Sequence, residues 1–139
     1  MPDRVFVDTS FVLALINEHD QYHDQAEALS FKIEQYFLLT TVAILLEIGN
    51  ALAKDFRKEA NAVLKLLRHS NRVEVVEIDQ RLFEKALDIY EKYNDKTWGL
   101  VDCISFVVMG ERGSTNVLTF DRDFTEAGFT VVTTEREHR

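Results

Sequence analysis

The sequence predicts an α/β fold built on a mostly parallel sheet of four to five strands. Short apolar runs alternate with longer amphipathic segments along the chain, which is typical of strands joined by helical crossovers. The first run, Arg4 to Val7, stops at Asp8, and a later run ends at Asp121 in the same way. Because parallel sheets bind ligands at the carboxyl ends of their strands, these acids indicate where a site would lie.

Length and charge set the broad class. We expect the 139 residues to form a single domain over 1–139, large enough to fold without a disulfide or structural metal. The lone cysteine, Cys103, and the lack of a visible secretory signal or membrane-length apolar run predict a cytoplasmic protein without a membrane partner. The net charge of −8 argues against a broad basic surface for nucleic acid. Carboxylates that bind divalent cations could nevertheless present a positive site to a phosphate.

The first quarter of the chain predicts two strands and two helices. Strand 1 covers residues 4–8, and the apolar run over 11–16 predicts a short helix beneath the sheet edge. Apolar residues at intervals of three and four predict a second helix over 21–35. The run from Phe37 to Thr41 is short and apolar and predicts strand 2.

Two further helices follow strand 2. A threonine at its end could cap a third helix, which we expect to run from Val42 to about Lys54. An amphipathic pattern predicts a fourth helix over 58–69. Its inner face is expected to carry Ala62, Val63, Leu66 and Leu67.

The next elements are a strand and a helix. Residues 73–78 alternate weakly and predict strand 3, and a helix is expected over 80–93. The inner face of that helix is expected to carry Leu82, Phe83, Ala86, Leu87 and Tyr90.

The last third of the chain predicts a buried helix and two strands. Residues 100–109 are apolar nearly all round, as in a helix central to a core, and Gly113 is suitably placed for its C-cap. Strand 4 is expected over 116–120 and a last strand over 129–133. The alternation of strands and helices predicts the open sheet.

Four acids occupy positions where an acid is costly without a partner. Asp8 and Asp121 follow strands, whereas Glu47 and Asp102 lie on mostly apolar helices. A buried carboxylate is costly or becomes protonated, and a shared hard cation removes that penalty for several carboxylates together. Oxygen ligands favour magnesium or manganese over zinc.

Each acid also has an ordinary structural interpretation. Asp8 could be a helix N-cap and Asp102 could complement a helix dipole. Glu47 could be a solvated surface acid, and Asp121 could be a turn residue. Individually, these signals do not establish a site.

Taken together, four motifs follow a recognisable order of strand-Asp, helix-Glu, helix-Asp and strand-Asp. They are Val5 to Ser10, Leu46 to Leu52, Leu100 to Ser105 and Leu118 to Phe124. In this order and spacing the sequence resembles the PIN domain family, metal-dependent ribonucleases that include the VapC-type toxins of bacterial toxin–antitoxin modules. The resemblance implies a three-layer α/β/α fold around a central sheet.

The resemblance also implies roles for individual residues. The metal-binding and catalytic carboxylates would be Asp8, Glu47, Asp102 and Asp121, with Asp123 as a candidate outer member. Thr9 or Ser10 would hydrogen-bond these carboxylates or the substrate, and Asn50 would support Glu47. Trp98-Gly99 departs from the small polar residues common in relatives and could alter substrate access.

The implied reaction is the hydrolysis of RNA by a water that one or two Mg²⁺ or Mn²⁺ ions activate. Products would carry 5′-phosphate and 3′-hydroxyl ends. The implied partners are an RNA substrate, a small antitoxin and a second copy of the chain in a homodimer.

Two other functions stay open. A non-catalytic PIN-like domain could act through protein contacts, and a PIN nuclease could act in RNA processing rather than as a toxin. Phosphatases of the haloacid dehalogenase type do not fit, because they need an acid where this chain has Ser10. The acidic pairs of receiver domains are also missing from the sequence.

Overall fold

The computed structural model describes residues 4–134 and has a central sheet of five parallel strands. Their order across the sheet is β3-β2-β1-β4-β5, and the all-parallel arrangement confirms the predicted fold class. The strands are β1 (Arg4–Val7), β2 (Phe37–Thr41), β3 (Val73–Val76), β4 (Asn116–Leu118) and β5 (Thr130–Val131).

Helices cover the sheet on both faces. They are α1 (Thr9–Ile16), α2 (His23–Ile33), α3 (Val42–Ala51), α4 (Arg57–His69), α5 (Gln80–Lys92), α6 (Leu100–Arg112) and α7 (Asp123–Glu126). The chain crosses the sheet in one direction through β3 and then returns to β4, so right-handed crossovers put α1 to α4 on one face and α5 to α7 on the other. The contacts of α1 with α2 and of α5 with α6 agree with these layers.

The helices of residues 4–134 are short, the longest having 13 residues. Within that range, none combines the length and apolar character that a membrane span requires.

The core lies between the sheet and its helices. The side chains of Val5, Phe6 and Val7 on the central strand are buried, because helices cover both faces of a parallel sheet. Cys103 and Phe106 are buried on α6, which confirms the central position predicted for that helix. Burial raises the pKa of the Cys103 thiol to about 11, so it remains protonated and unreactive at neutral pH.

Two predicted helix ends are confirmed. The Thr41 hydroxyl accepts a hydrogen bond from the backbone N–H of Ile44 at 3.3 Å and so caps α3. Gly113 ends α6 with φ of +67°, in the left-handed region that favours glycine.

Strand β4 ends at Leu118, two residues before the predicted end at Phe120. The backbone N–H of Phe120 donates to Ser10 Oγ at 2.9 Å, and that of Asp121 donates to Thr119 Oγ1 at 3.0 Å. Side-chain hydroxyls therefore take the backbone donors that would have continued the strand.

Other ends differ by a few residues. The helix predicted over 21–35 covers His23–Ile33, and α3 ends at Ala51 rather than near Lys54. The strand predicted over 129–133 is limited to Thr130–Val131.

The inner face predicted for α4 is partly wrong. Ala62 is exposed and Leu66 is 68% exposed, whereas Ala60 and Leu67 are buried. Apolar residues occupy a wide arc of this helix, so the pattern alone does not fix which side faces the core. The packed stripe has the seven-residue spacing of Ala60 and Leu67, two helical turns apart.

The inner face predicted for α5 is also partly wrong, being correct at two of its five residues. Leu82 and Ala86 are buried as expected, but Phe83, Leu87 and Tyr90 are exposed. Neighbouring residues such as Leu82 and Phe83, or Ala86 and Leu87, point about 100° apart around a helix. The contact of α5 with α6 therefore covers one residue of each of these pairs and leaves the other exposed.

The strand order brings the carboxyl ends of β1 and β4 next to each other. β1 lies between β2 and β4, and the connections that leave β1 and β4 run in opposite directions across the sheet. Val7 pairs with Leu118, so the next residues, Asp8 and Thr119, lie side by side beyond the strand ends. This is the switch point at which open α/β sheets form a crevice.

Candidate functional site

Asp8 is a buried carboxylate at the end of the central strand. It occupies the N-cap position of α1, but its side chain makes no capping hydrogen bond. Its Oδ2 instead accepts hydrogen bonds from Thr119 Oγ1 at 2.7 Å and Ser10 Oγ at 3.0 Å. Burial is the main cause of a raised Asp8 pKa, which the two hydroxyls partly offset. The simple N-cap interpretation therefore does not describe this side chain.

The hydroxyls of Ser10 and Thr119 join the ends of two neighbouring strands. Both donate to the same oxygen of Asp8 and lie 3.1 Å apart. Each hydroxyl also accepts a backbone N–H of the segment that leads to Asp121. The arrangement fixes Asp8 relative to Asp121 through groups that cannot themselves neutralise either carboxylate.

Thr119 was not among the predicted site residues. A signal was present in the sequence, because Asp8-Thr9-Ser10 and Thr119-Phe120-Asp121 both place a hydroxyl two residues from an acid near a strand end. The pairing of Val7 with Leu118 is needed to show that these two segments belong to one site.

Three carboxylates form a close group, which we call the acidic triad: Asp102, Asp121 and Asp123. One oxygen from each lies within 4.8 Å of the others, and all three side chains are half-buried. The backbone N–H of Gly99 donates to Asp102 Oδ2 at 3.1 Å, and that of Asp123 donates to Asp121 Oδ1 at 3.0 Å. Asp123, expected as an outer member, therefore belongs to the closest group of acids.

The acidic triad has no internal cation. Among residues 4–134, the ion pairs formed by Lys, Arg and His include none of these carboxylates, nor Asp8 or Glu47. Burial, and then a hydrogen bond with Asp123, raise the pKa of Asp102 to about 8. Burial also raises the pKa of Asp123. A bound cation would oppose both shifts, because it favours the ionised form of each carboxylate.

Asp8 lies beside this group rather than within it. The negative charge of Asp8 contributes to the raised pKa of Asp102. The negative charge of Asp121 contributes in turn to the raised pKa of Asp8. The donor set consists of oxygens, which suits magnesium or manganese. The residues present therefore fit a hard divalent cation.

Glu47 lies farther from the triad. It is half-buried on α3, and its Oε1 accepts a hydrogen bond from Thr9 Oγ1 at 2.6 Å, which links α3 to the start of α1. The close group of acids found within residues 4–134 does not include it. Asn50 is exposed, and no side-chain hydrogen bond joins it to Glu47 in the described part of the chain.

An open cleft of about 550 Å³ adjoins the triad. Asp121 and Asp123 line it together with aromatic and polar side chains. The other lining residues are Ser10, Leu13, Asp20, Gln21, Tyr22, Thr97, Phe120 and Arg122. Its volume is in the range of pockets that hold small molecules, ~300–1,000 Å³.

Trp98 is part of the core rather than of this cleft. Its ring is buried, packs against Phe106 at 5.1 Å between centroids, and donates from Nε1 to Glu126 at 3.1 Å. Trp98 lines a different cavity of about 290 Å³, together with Tyr90 and Tyr93 among others. The predicted effect of Trp98 on access would therefore act through the shape of the loop that precedes α6.

Comparison with known proteins gives a consistent match. The PIN domain family profile matches residues 5–130. The 23S rRNA-specific endonuclease VapC20 of Mycobacterium tuberculosis is 32% identical over 131 residues, which cover 94% of this chain and 99% of that protein.

Solved structures agree with the sequence match. The crystal structure of M. tuberculosis VapC20, described as a sarcin–ricin loop cleaving toxin, superposes with a TM-score of 0.84 and 31% identity, covering 93% of this chain and 98% of that one. A toxin–antitoxin complex from Klebsiella pneumoniae gives a TM-score of 0.63 at 14% identity, covering 93% of this chain and 96% of the other. The second similarity is evidence for the fold alone.

Proposed function

The chain belongs to the PIN domain family, and from this premise we propose that it is a divalent-metal-dependent endoribonuclease, the toxin of a toxin–antitoxin pair. The acidic triad is the observation that carries the proposal, because half-buried carboxylates with no protein cation need an external one. Similarity to an rRNA endonuclease over nearly the whole chain supports the same reaction class. The proposal treats residues 1–139 as one PIN-like domain acting in the cytoplasm.

In this proposal, Asp102, Asp121 and Asp123 hold the metal, and Asp8 holds it from the adjoining strand end. Glu47 is the remaining predicted carboxylate, and it is held by Thr9 at the start of α1. When bound, one or two Mg²⁺ or Mn²⁺ ions supply a water of lowered pKa and stabilise charge on the phosphate.

The residues of the chain set the geometry of the reaction. Ser10 and Thr119 hold Asp8 in one orientation, and the Gly99 N–H holds Asp102. Deprotonation of the Asp102 and Asp123 pair makes both carboxylates available for binding. Water adds to phosphorus as the bond to the 3′ oxygen breaks, and the water proton passes to that oxygen. The products are a 5′-phosphate and a 3′-hydroxyl.

The proposed substrate is a loop of 23S rRNA. The relative of similar length is named for 23S rRNA cleavage, and its crystal structure is described by its action on the sarcin–ricin loop. A small antitoxin is the proposed protein partner, and a homodimer is the proposed assembly. An inhibitor with a basic segment would complement both the acidic triad and the net charge of −8.

Mapping of RNA ends tests the nuclease proposal. Purified protein is incubated with bacterial ribosomes and with total RNA in Mg²⁺ or Mn²⁺, and 5′-phosphate ends are sequenced. We expect discrete cuts in 23S rRNA that disappear with EDTA and in Asp8→Asn. The control Glu111→Gln should cut normally, because Glu111 lies at the other end of α6 and pairs with Arg81 and Lys85.

A negative result would be informative. Folded protein, free of copurified inhibitor, that cuts neither substrate would contradict the proposal and favour a non-catalytic binding domain. Cuts in precursor RNAs alone would favour an RNA-processing nuclease.

A further inference from the structure

Three aromatic rings form a column from the core to the wall of the acidic cleft. The column consists of Phe11, Phe120 and Tyr22. The Phe11 and Phe120 centroids are 6.3 Å apart at 26°, and the Phe120 and Tyr22 centroids are 4.7 Å apart at 2°. Phe11 is buried, whereas Phe120 and Tyr22 are half-buried and line the cleft. The parallel stack therefore continues from the interior to a surface that a ligand can reach.

The backbones of Phe120 and Tyr22 are held by polar contacts. The N–H of Phe120 donates to Ser10 Oγ at 2.9 Å, and the N–H of Tyr22 donates to Asp20 Oδ1 at 2.8 Å. The backbone segments that carry these rings are thus held in place before a planar group stacks on them, which lowers the ordering cost of binding.

The column is adjacent to the proposed reaction centre. Phe120 directly precedes Asp121, and the same cleft is lined by Tyr22, Phe120, Asp121 and Asp123. A base stacked on the outer ring would lie in the cleft that Asp121 and Asp123 line, and so near the triad. Double-helical RNA hides its base faces, so only an unpaired nucleotide could use such a surface.

Arg122 adds a positive charge to the same cleft. Its side chain is exposed, and it takes part in none of the ion pairs formed among residues 4–134. An arginine beside carboxylates that makes no ion pair with them is available to a phosphate. The cleft therefore combines the stacking surface and the charge by which proteins bind single-stranded nucleic acid.

We propose that Tyr22 and Phe120 form a stacking subsite for one unpaired nucleobase next to the scissile phosphate, and that Arg122 contacts a neighbouring phosphate. This assignment rests on the proposed ribonuclease function, since it names how the same site selects an unpaired nucleotide. It makes Tyr22 a specificity residue rather than a catalytic one.

The test measures RNA binding separately from cleavage. The parent protein carries Asp102→Asn, so that RNA is bound in Mn²⁺ without turnover. Hairpin RNAs with the sequence of the sarcin–ricin loop of 23S rRNA carry the fluorescent base 2-aminopurine at one loop position at a time. We expect its emission to fall on binding at a single position, because stacking on an aromatic ring quenches it.

Variants of Tyr22 in this parent separate stacking from packing. Tyr22→Leu keeps an apolar side chain and loses the ring, so it should raise the Kd roughly 10-fold to 100-fold and abolish the quenching. Tyr22→Phe and Tyr22→Trp should restore both. Phe31→Ala is the matched control, because Phe31 is 77% exposed on α2 and lies outside the cleft.

The outcomes distinguish the subsite from the nuclease proposal. Unchanged binding and quenching in Tyr22→Leu, or a parent that binds no hairpin, would overturn the subsite even if wild-type protein cleaves RNA. Quenching that depends on Tyr22, without cleavage by wild-type protein, would retain the subsite and overturn the nuclease. Arg122→Gln should lower the slope of log Kd against log salt concentration by about one unit, because one phosphate contact is lost.

Discussion

Helix α6 carries one acid in its first turn and another in its last turn, and the two have opposite surroundings. Asp102, near the N-terminus, meets Asp121 and Asp123, and its pKa is raised to about 8. Glu111, near the C-terminus, accepts hydrogen bonds from Arg81 and Lys85 at 2.7 and 2.8 Å, which lower its pKa to about 2.

The helix dipole would give the reverse order. It favours a negative charge at the N-terminus and disfavours one at the C-terminus, by ~0.3–1 kcal/mol. Burial and neighbouring charges from other elements outweigh that effect at both ends. An acid with protein cations around it is already neutralised, whereas an acid among other acids requires a cation from solution. The comparison thus separates a carboxylate that the protein itself neutralises from one that we propose binds the metal.

Removing each acid in turn gives the largest expected difference. Asp102→Asn should lower the rate of RNA cleavage by ~100-fold or more, because a metal ligand is lost while its bond from the Gly99 N–H can be kept. Glu111→Gln should change the rate by less than about twofold. Initial rates on one defined hairpin measure both. Equal losses in the two variants would contradict the distinction between these acids.

A lysine placed in the acidic triad should give Asp102 a cationic neighbour of the kind that Glu111 already has. Asp123→Lys puts an ammonium where the like charge was, so metal-free protein should melt several degrees higher at pH 8. It should also lose the rise in melting temperature that Mn²⁺ gives wild-type protein. Thermal melts with EDTA and with Mn²⁺ measure both effects, and Asp88→Lys on exposed α5 is the charge-matched control.

The pH dependence of stability follows from the raised Asp102 pKa. Folded protein holds this proton up to about pH 8, whereas the unfolded chain loses it near 3.8, so this contribution is full below pH 3.8 and is lost as pH rises through 8. After allowance for solvent screening we expect a loss of ~1–2 kcal/mol between pH 5 and 9. Urea denaturation in EDTA measures it.

Two controls accompany that measurement. Asp102→Asn should flatten this part of the profile, and Mn²⁺ should stabilise wild-type protein more at pH 8 than at pH 6, because metal and proton compete. A metal-free profile that rises from pH 5 to 9 equally in wild type and Asp102→Asn would refute the assignment.

The smallest expected effect is at Glu111. Its pKa is lowered, so its contribution is present above the unfolded value of 4.5 and is lost as pH falls toward 2. Glu111→Gln should lower the melting temperature by a few degrees at most at pH 7, and the difference should shrink at pH 3 and in 1 M salt. A larger loss at pH 3 than at pH 7 would have the wrong sign.

Local sequence patterns determined much of the fold. Apolar runs identified β1, β2 and β4 to within a few residues, because a strand buried on both faces is a nearly continuous apolar run. The less buried β3 was identified by weak alternation. Gly113 and Thr41 marked helix ends through properties of their own backbone and side chain. The wrong faces of α4 and α5 show the limit, since an apolar arc wider than the contact leaves the helical phase open.

In the candidate site too, some features follow from the sequence alone and others from the tertiary structure. The sequence by itself determined that Asp8, Asp102 and Asp121 are acids beside strand ends or on an apolar helix, because those positions depend on neighbouring residues alone. The register of Val7 with Leu118 brought Thr119 to Asp8, and the loop after β4 put Asp123 with Asp102. Asp8 and Thr119, for example, are 111 residues apart in the sequence. Only the tertiary structure could decide them, because strand order and helix packing, and no local pattern, bring such segments into contact.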